Sequence, residues 1–312
     1  MKSIAAIALV CLTSLGSVFS QGEAEKRQLA FNRIPLKASA DHQYYVPASI
    51  DGKSFAFLLD TGCAYSTVLT EGFAKELGAE LEPAGSSSGI GGEVETFTSN
   101  VGQIRFTPQL AYKFKNTHVR ALPNLDGTDL GEIKVRGLLG AQSLFAMRAV
   151  FDTESTSILV PPSEASKGAY SKALKSQGAL VLRLAKGGYA YPMLKVKLKD
   201  KDLVFLVDTG ATVNTLQPEV ARALKLKPIG KPQDIVGGGK NAAKGVRKVK
   251  VEGPVFDNVA KLESIEFYVV ETIGDKLVAD GETYGGIIGA GFLNSVRAKI
   301  DFSIYSLIIP TK

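Results

Sequence analysis

The chain has 312 residues, of which 45% are hydrophobic and 22% charged, a composition typical of a folded globular protein long enough for two ordinary domains. Its formal net charge of +6 is spread along the sequence without a basic block interleaved with aromatic residues, so we expect no nucleic-acid partner. Two histidines and two cysteines argue against a zinc site, and we predict neither a metal nor another cofactor.

The N-terminus has the features of a secretory signal. Lys2 supplies a positive start, residues 4–18 are mostly apolar with no acidic residue, and small residues precede Gln21. We therefore predict that residues 1–20 are a signal peptide. An uncleaved anchor is the alternative, but the apolar stretch is short and broken by Ser and Gly. The mature chain is expected to be secreted or periplasmic, with no stable membrane span and with a single cysteine.

The first half of the mature chain is predicted to consist mainly of strands. Residues 44–50 and 54–59 are rich in apolar and β-branched side chains, and Asp51 and Gly52 between them form a strong hairpin-turn signal. The second of these strands ends directly before Asp60. An amphipathic helix is predicted at residues 71–77.

The second half shows the same order of elements. Residues 192–198 and 203–207 are predicted as paired strands around a turn at 199–202, and the second strand ends at Asp208. A helix is predicted at residues 218–224, where a proline occupies the first turn, a position that tolerates it.

The similarity of the halves reflects an internal duplication. Three blocks recur at offsets of 148, 149 and 149 residues, which chance does not explain. The blocks are FLLDTG at 57–62 and FLVDTG at 205–210, GLLG at 137–140 and GIIG at 286–289, and RAVFD at 148–152 and RAKID at 297–301.

The duplication predicts the domain organisation. Residues 21–160 and 179–312 are predicted as two lobes, and residues 161–178, rich in Pro, Ser, Lys and Ala, as the linker between them. Since each half contains mainly strands and only short helices, we expect an all-β, two-lobed molecule.

Asp60 and Asp208 are the candidate catalytic residues. A single Asp-Thr-Gly usually only builds a turn, but a carboxylate closing an apolar strand is costly, and here the feature occurs twice. Two lobes related by a pseudo-twofold axis would bring both aspartates together at their interface. Carboxyl groups within about 3 Å cannot both ionise, so they share a proton and place an acid and a base around one water.

The paired Asp-Thr-Gly motifs, each followed downstream by two hydrophobic residues and a glycine, resemble those of the pepsin and retropepsin superfamily of aspartic proteases. The resemblance covers nearly all of the mature chain. It implies a bilobal fold of two β-barrel-like lobes with a cleft between them, and it implies that Asp60 and Asp208 bind the attacking water. The resemblance also implies supporting roles around the carboxylates. Gly62 and Gly210 would let backbone amides approach the carboxylates closely. Thr61 and Thr209 would lock the two loops together through hydrogen bonds.

Two glycine-rich segments are predicted as flaps over the cleft. GIGG at 89–92 resembles the flap tip of retropepsins, and IVGGG at 235–239 lies at a similar distance from the second motif. No tyrosine occurs between residues 65 and 112, where a pepsin-type flap would carry one. An idle loop is the alternative, above all for the second segment. The predicted substrate-binding flap residues are Ile90, Gly91, Val236 and Gly237.

The fourth position of each motif departs from the pepsin pattern. Pepsin-like enzymes generally have Ser or Thr there, whereas this chain has Cys63 and Ala211, the alanine being as in retropepsins. Without a hydroxyl to stabilise the ionised form, we expect the carboxylates to titrate at higher pH. Cys63 is interpreted as a small packing residue, with a redox role as the alternative.

The sequence therefore predicts an aspartic endopeptidase that is secreted or periplasmic, acts as a monomer and cleaves an extended peptide or protein substrate without a covalent intermediate. A catalytically inactive pseudo-protease that binds peptides or inhibits an enzyme is the alternative. A third possibility is that each lobe dimerises separately with its counterpart in another chain.

Overall fold

The structure, a computed structural model, describes residues 31–89, 92–113, 117–122, 125–235, 242–272, 277–279 and 281–311. The predicted signal peptide and the four predicted flap residues, Ile90, Gly91, Val236 and Gly237, lie outside the described residues. In the part that is described, no helix is long and apolar enough to span a membrane.

The described residues of the first half contain thirteen strands and two short α-helices. The helices are α1 (Glu71–Glu76) and α2 (Ala141–Ala146). The strands are β1 (Asn32–Pro35), β2 (Lys37–Ala38), β3 (Tyr44–Ile50), β4 (Lys53–Asp60), β5 (Thr67–Thr70), β6 (Glu82–Gly89), β7 (Gly92–Ser99), β8 (Ile104–Thr107), β9 (Leu110–Tyr112), β10 (Thr117–Arg120), β11 (Val135–Gly140), β12 (Val150–Asp152) and β13 (Ser157–Val160).

The rest of the described chain contains twelve strands and three α-helices. The helices are α3 (Ala169–Ser176), which lies in the predicted linker, α4 (Pro218–Ala223) and α5 (Ala290–Ser295). The strands are β14 (Leu180–Lys186), β15 (Pro192–Leu198), β16 (Lys201–Asp208), β17 (Thr215–Leu216), β18 (Pro228–Ile235), β19 (Ala243–Glu252), β20 (Val255–Phe256), β21 (Ala260–Lys261), β22 (Ser264–Val269), β23 (Tyr284–Gly289), β24 (Lys299–Asp301) and β25 (Ser306–Ile309).

The two halves fold alike, which confirms the predicted all-β, two-lobed architecture. The first lobe contains the strand order β7-β10-β5-β11-β4-β3, and the second contains β19-β22-β17-β23-β16-β15, in which each strand is the repeat counterpart of the strand at the same place in the first. Strands predicted at 44–50 and 192–198 have those bounds as β3 and β15. The predicted helices at 71–77 and 218–224 each end one residue earlier.

A third group of strands joins the lobes. Strands β1, β13 and β12 from the first half continue into β24, β25 and β14 from the second. At the junction Phe151 pairs with Ile300, its own counterpart at the repeat offset of 149. A local twofold axis passes between a residue and its own counterpart when the two pair, so this antiparallel pair marks the axis relating the lobes.

Buried polar groups hold this junction. The ammonium of Lys299 lies 3.1 Å from the carboxylate of Asp152, and both side chains are almost fully buried. Asp301, the repeat counterpart of Asp152, instead accepts hydrogen bonds from the hydroxyls of Ser171 at 2.6 Å and Ser303 at 2.5 Å. The two equivalent carboxylates therefore have different partners, an ammonium group at Asp152 and two hydroxyls at Asp301. A buried charge is costly unless it has such partners.

The recurring glycine behind each Asp-Thr-Gly is required by close packing. Strand β11 runs parallel to β4 with Gly140 beside Asp60, and β23 runs parallel to β16 with Gly289 beside Asp208. A Cβ on Gly140 would lie 1.9 Å from the carbonyl oxygen of Tyr65, and one on Gly289 would lie 2.4 Å from that of Val213. Only glycine therefore lets these strands support the loops that follow the aspartates.

We expect Gly140→Ala to destabilise the protein by at least about 1–3 kcal/mol, because the added methyl group overlaps backbone that cannot easily move. Gly188→Ala is the matched control, since a Cβ there meets no atom within 4 Å. Urea unfolding of both variants measures the difference. Equal unfolding free energies for the two would contradict the packing argument.

Candidate active site

Two apolar strands deliver the two aspartates to one place. β4 and β16 are buried along most of their length and end at Asp60 and Asp208. Leu59 and Val207, the residues before the aspartates, are fully buried. Asp208 is buried and Asp60 is partly exposed. Hydrophobic packing therefore holds both carboxyl groups at the lobe interface, where water reaches them only in part.

The structure brings the two predicted carboxylates together. They lie within hydrogen-bonding reach of each other. The glycine of each motif faces the aspartate of the other: a Cβ on Gly62 would lie 2.4 Å from Oδ2 of Asp208, and one on Gly210 would lie 2.7 Å from Cγ of Asp60. Any side chain at either glycine would displace a carboxyl group.

Backbone N–H groups orient the carboxyl groups unequally. Gly62 donates to Oδ1 of Asp60 at 2.9 Å. Oδ1 of Asp208 accepts two such bonds, from Gly210 at 2.8 Å and from Ala211 at 3.3 Å. Since N–H donors stabilise the ionised form of a carboxyl group, Asp208 is the better supported as an anion.

The electrostatic environment follows from this burial. Removal from water raises the pKa of Asp60 well above its usual value, and the neighbouring Asp208 raises it further, while Gly62 and the charge of Arg120 oppose the rise. Burial also raises the pKa of Asp208, opposed by the N–H groups of Gly210 and Ala211 and by its hydrogen bond with Asp60. Such a pair titrates as one unit and retains a proton at a pH where free carboxyl groups are ionised.

Thr61 and Thr209, which we call the crossed threonines, tie the two loops together. The hydroxyl of Thr61 donates to the carbonyl of Val207 at 2.6 Å and accepts from the N–H of Thr209 at 3.0 Å. The hydroxyl of Thr209 donates to the carbonyl of Leu59 at 2.8 Å and accepts from the N–H of Thr61 at 3.1 Å. Both threonines are fully buried, so the two lobes satisfy one another's backbone at this point.

The fourth positions of the motifs lie in apolar surroundings. Cys63 is buried in a cluster with Leu58 and Leu138, and burial raises the pKa of its thiol to about 12, so the thiol stays protonated. Ala211 packs against a second apolar cluster, which lies mainly in its own lobe, the second. Neither side chain brings a hydroxyl to the carboxylates.

Three residues near the site escaped the sequence analysis. Gln43 donates through Nε2 to the carbonyl of Gly210 at 3.3 Å. Tyr191, its counterpart at the repeat offset, is buried, and the pKa of its phenol is raised by burial and then by Cys63, Asp60 and Asp208. Arg120 on β10 interacts electrostatically with Asp60. The repeat offset aligns residues 43 and 191, but a glutamine and a tyrosine do not form a recurring motif, and no local pattern marks Arg120.

Among the described residues, no group of three or more His, Cys, Asp and Glu side chains is arranged to hold a metal ion. The chemistry that this arrangement can perform is proton transfer at two adjacent carboxyl groups, one protonated and one ionised.

Comparison with known proteins identifies the family. The family described as Aspartyl protease matches residues 46–143 and 194–292, one segment in each lobe. The chain belongs to the aspartyl protease family, and the resemblance seen in the paired motifs is confirmed. Asp60 and Asp208 occupy equivalent places, each 14 residues after the start of its match. A comparison with curated protein sequences finds no match.

The solved structures that are similar to this chain include two aspartic proteases. An aspartic proteinase from Irpex lacteus is 13% identical with a TM-score of 0.45, over 91% of this chain and 98% of that chain. A retropepsin-like aspartic protease from Rickettsia conorii is 23% identical with a TM-score of 0.26, over 35% of this chain and 82% of that chain.

We expect Thr61→Val and Thr209→Val each to destabilise the protein by about 1–3 kcal/mol, because valine keeps the shape of threonine and leaves buried N–H and carbonyl groups without partners. Thr61→Ser and Thr209→Ser, which keep the hydroxyl, are the controls. In a double-mutant cycle, the two valine substitutions should be clearly non-additive, since they remove one shared network. Additive losses in denaturant unfolding would show that the threonines act independently.

Proposed function

We propose that this chain is an active aspartic endopeptidase whose catalytic residues are Asp60 and Asp208. One observation carries the proposal: two carboxyl groups in mutual contact at the interface of two equivalent lobes, fixed by the crossed threonines. A structural role alone does not require two buried carboxyl groups to face each other, because their repulsion costs free energy. A shared proton removes that repulsion and creates an acid beside a base.

The unequal hydrogen bonding supports an assignment of roles. Asp208 accepts two backbone N–H bonds and Asp60 accepts one, so we place the charge on Asp208 and the shared proton on Asp60. Asp208 then takes a proton from a water molecule, whose oxygen attacks the peptide carbonyl carbon. Asp60 gives its proton to the carbonyl oxygen. Asp208 then gives the proton that it took from water to the amide nitrogen, Asp60 takes a proton from one hydroxyl of the gem-diol, and the C–N bond breaks with no covalent enzyme intermediate.

The strands around the site suit an extended substrate. The antiparallel hairpins β6–β7 and β18–β19 occupy equivalent positions in the two lobes and lead to the two predicted flap segments. Flaps at these tips would cover a peptide that binds in the cleft through its backbone. The substrate is therefore proposed to be a peptide or an extended segment of a protein.

The setting of the enzyme is also a proposal. The N-terminal signal pattern supports export, so that the mature enzyme would be secreted or periplasmic. Because one chain supplies both Asp-Thr-Gly motifs and both crossed threonines, it can assemble a whole site, and the active form is proposed to be a monomer.

We expect Asp60→Asn and Asp208→Asn each to lower kcat by about 100- to 10,000-fold or more, because each removes one member of the acid–base pair. Peptide-library digestion with the wild-type and variant proteins measures the loss. Circular dichroism checks that each variant is folded.

The same variants test whether one chain contains the whole site. If each lobe paired with the same lobe of a second molecule, each single variant would keep one intact site and roughly half of the activity. An equimolar mixture of the two variants should also stay inactive, whereas a site exchanged between chains would recover activity on mixing. A wild-type protein that binds peptides without cleaving them would favour the pseudo-protease.

We expect the activity optimum to lie in the mildly acidic range, because burial raises the pKa of both aspartates and no hydroxyl at Cys63 or Ala211 opposes it. Ala211→Ser with Cys63→Ser should move the basic limb of the pH profile of kcat/KM to lower pH, since a donated hydrogen bond favours the ionised form. Cys63→Ala, which adds no hydroxyl, is the control. A basic limb that stays in place or moves upward would refute this explanation.

A further inference from the structure

Strand β10 places two basic residues on the face of the first lobe that carries Asp60. His118 pairs with Val68, Val68 pairs with Leu138, and Leu138 pairs with Leu58, so these four residues form one row across the sheet. Side chains on a strand alternate between faces, and residues paired across strands share a face. Asp60, two residues after Leu58, and Arg120, two residues after His118, therefore lie on the same face as the row.

Both basic side chains have a buried nitrogen without a partner. Nε of Arg120 and Nδ1 of His118 make no hydrogen bond among the described residues. Arg120 is only 8% exposed, and no ion pair joins it to a carboxylate in the described parts of the chain. A buried guanidinium with an unused donor is costly, so its persistence in a folded protein requires an explanation, and a ligand that supplies the missing partner is one.

The surroundings of these residues favour an anionic partner. The ring of His118 stacks on the ring of Tyr65 with centroids 3.6 Å apart, and this contact fixes the orientation of the imidazole. Tyr65 is partly exposed. Burial and the charge of Arg120 lower the pKa of His118, so the imidazole is neutral and can donate or accept according to its tautomer. Arg120 also opposes the rise in the pKa of Asp60, which shows that its charge reaches the catalytic pair.

We propose that Arg120 and His118 form a basic subsite in the first lobe that binds the carboxylate of a glutamate or aspartate side chain of the substrate. The guanidinium would donate to the carboxylate, and the imidazole would supply a second hydrogen bond. Charge-assisted bonds of this kind are about twice as strong as neutral ones and are directional. The subsite rests on the proposed function, because it gives that peptidase a preference for acidic residues near the cleaved bond.

The test compares peptides that differ only by Glu or Gln at one position, scanned along the residues on either side of the scissile bond. At one position we expect the wild-type enzyme to prefer Glu about 10- to 100-fold in kcat/KM, the range set by a hydrogen bond to a charged group. A wild-type enzyme with no such preference at any position would overturn the proposal without any variant.

Variants then assign the preference to its residues. Arg120→Met should reduce the ratio of Glu to Gln to about one, and His118→Phe, which keeps an aromatic ring on Tyr65, should reduce it in part. Arg105→Met, which removes an exposed arginine from β8 of the same lobe, is the matched control and should keep the wild-type ratio. A shifted pH profile with an unchanged ratio in Arg120→Met would mean that Arg120 acts only on Asp60, and would overturn the subsite.

A binding measurement separates this proposal from the proposed function. Fluorescence anisotropy of labelled Glu and Gln peptides on the Asp208→Asn variant reports the subsite without any cleavage. Tighter binding of the Glu peptide, lost when Arg120→Met is added, supports the subsite even if the wild-type protein has no peptidase activity. Equal binding of both peptides by Asp208→Asn, together with peptide cleavage by the wild-type protein, removes the subsite and leaves the peptidase.

Discussion

The crossed threonines are the constraint on which the site depends. Each hydroxyl satisfies one carbonyl and one N–H of the opposite lobe, at a point from which solvent is fully excluded. Loss of these bonds while the site stays closed to water would leave four backbone groups and two hydroxyls without partners, which costs free energy. Because the aspartates immediately precede these threonines, the same bonds that join the lobes also hold the carboxyl groups against each other.

Stability and chemistry make opposite demands on the strands that end at Asp60 and Asp208. Their apolar residues build the cores of the lobes, and the same burial makes ionisation of both carboxyl groups unfavourable. The backbone N–H groups stabilise one of the two carboxylates more than the other, although the motifs are arranged symmetrically. The additional N–H of Ala211 stabilises a charge on Asp208, and the corresponding turn in the first lobe makes a different bond, from the N–H of Cys63 to the carbonyl of Asp60. Two similar motifs can therefore hold two protonation states.

The sequence predicted what the duplication repeats. The strands ending at Asp60 and Asp208, the paired apolar residues with Gly140 and Gly289, and the short helix after each Asp-Thr-Gly were visible because equivalent elements recur in the two halves. Arg120 was not visible, because its approach to Asp60 depends on how β10 inserts between β5 and β7, a pairing that local pattern does not encode. The unequal N–H bonds were hidden for a similar reason, since they follow from small differences in two turns of nearly the same sequence. The roles predicted for the flap residues remain predictions.

A buried cation beside a proton-sharing pair has a consequence for catalysis. With an empty subsite, the field of Arg120 favours ionisation of Asp60, against the effect of burial. A substrate carboxylate bound to Arg120 would neutralise that field and exclude water from the same face of the sheet. Both changes favour the neutral form of Asp60, which is the form proposed to donate a proton to the peptide carbonyl. An acidic side chain in this subsite would therefore contribute to the reaction as well as to binding, because its arrival stabilises the protonation state that the chemistry needs.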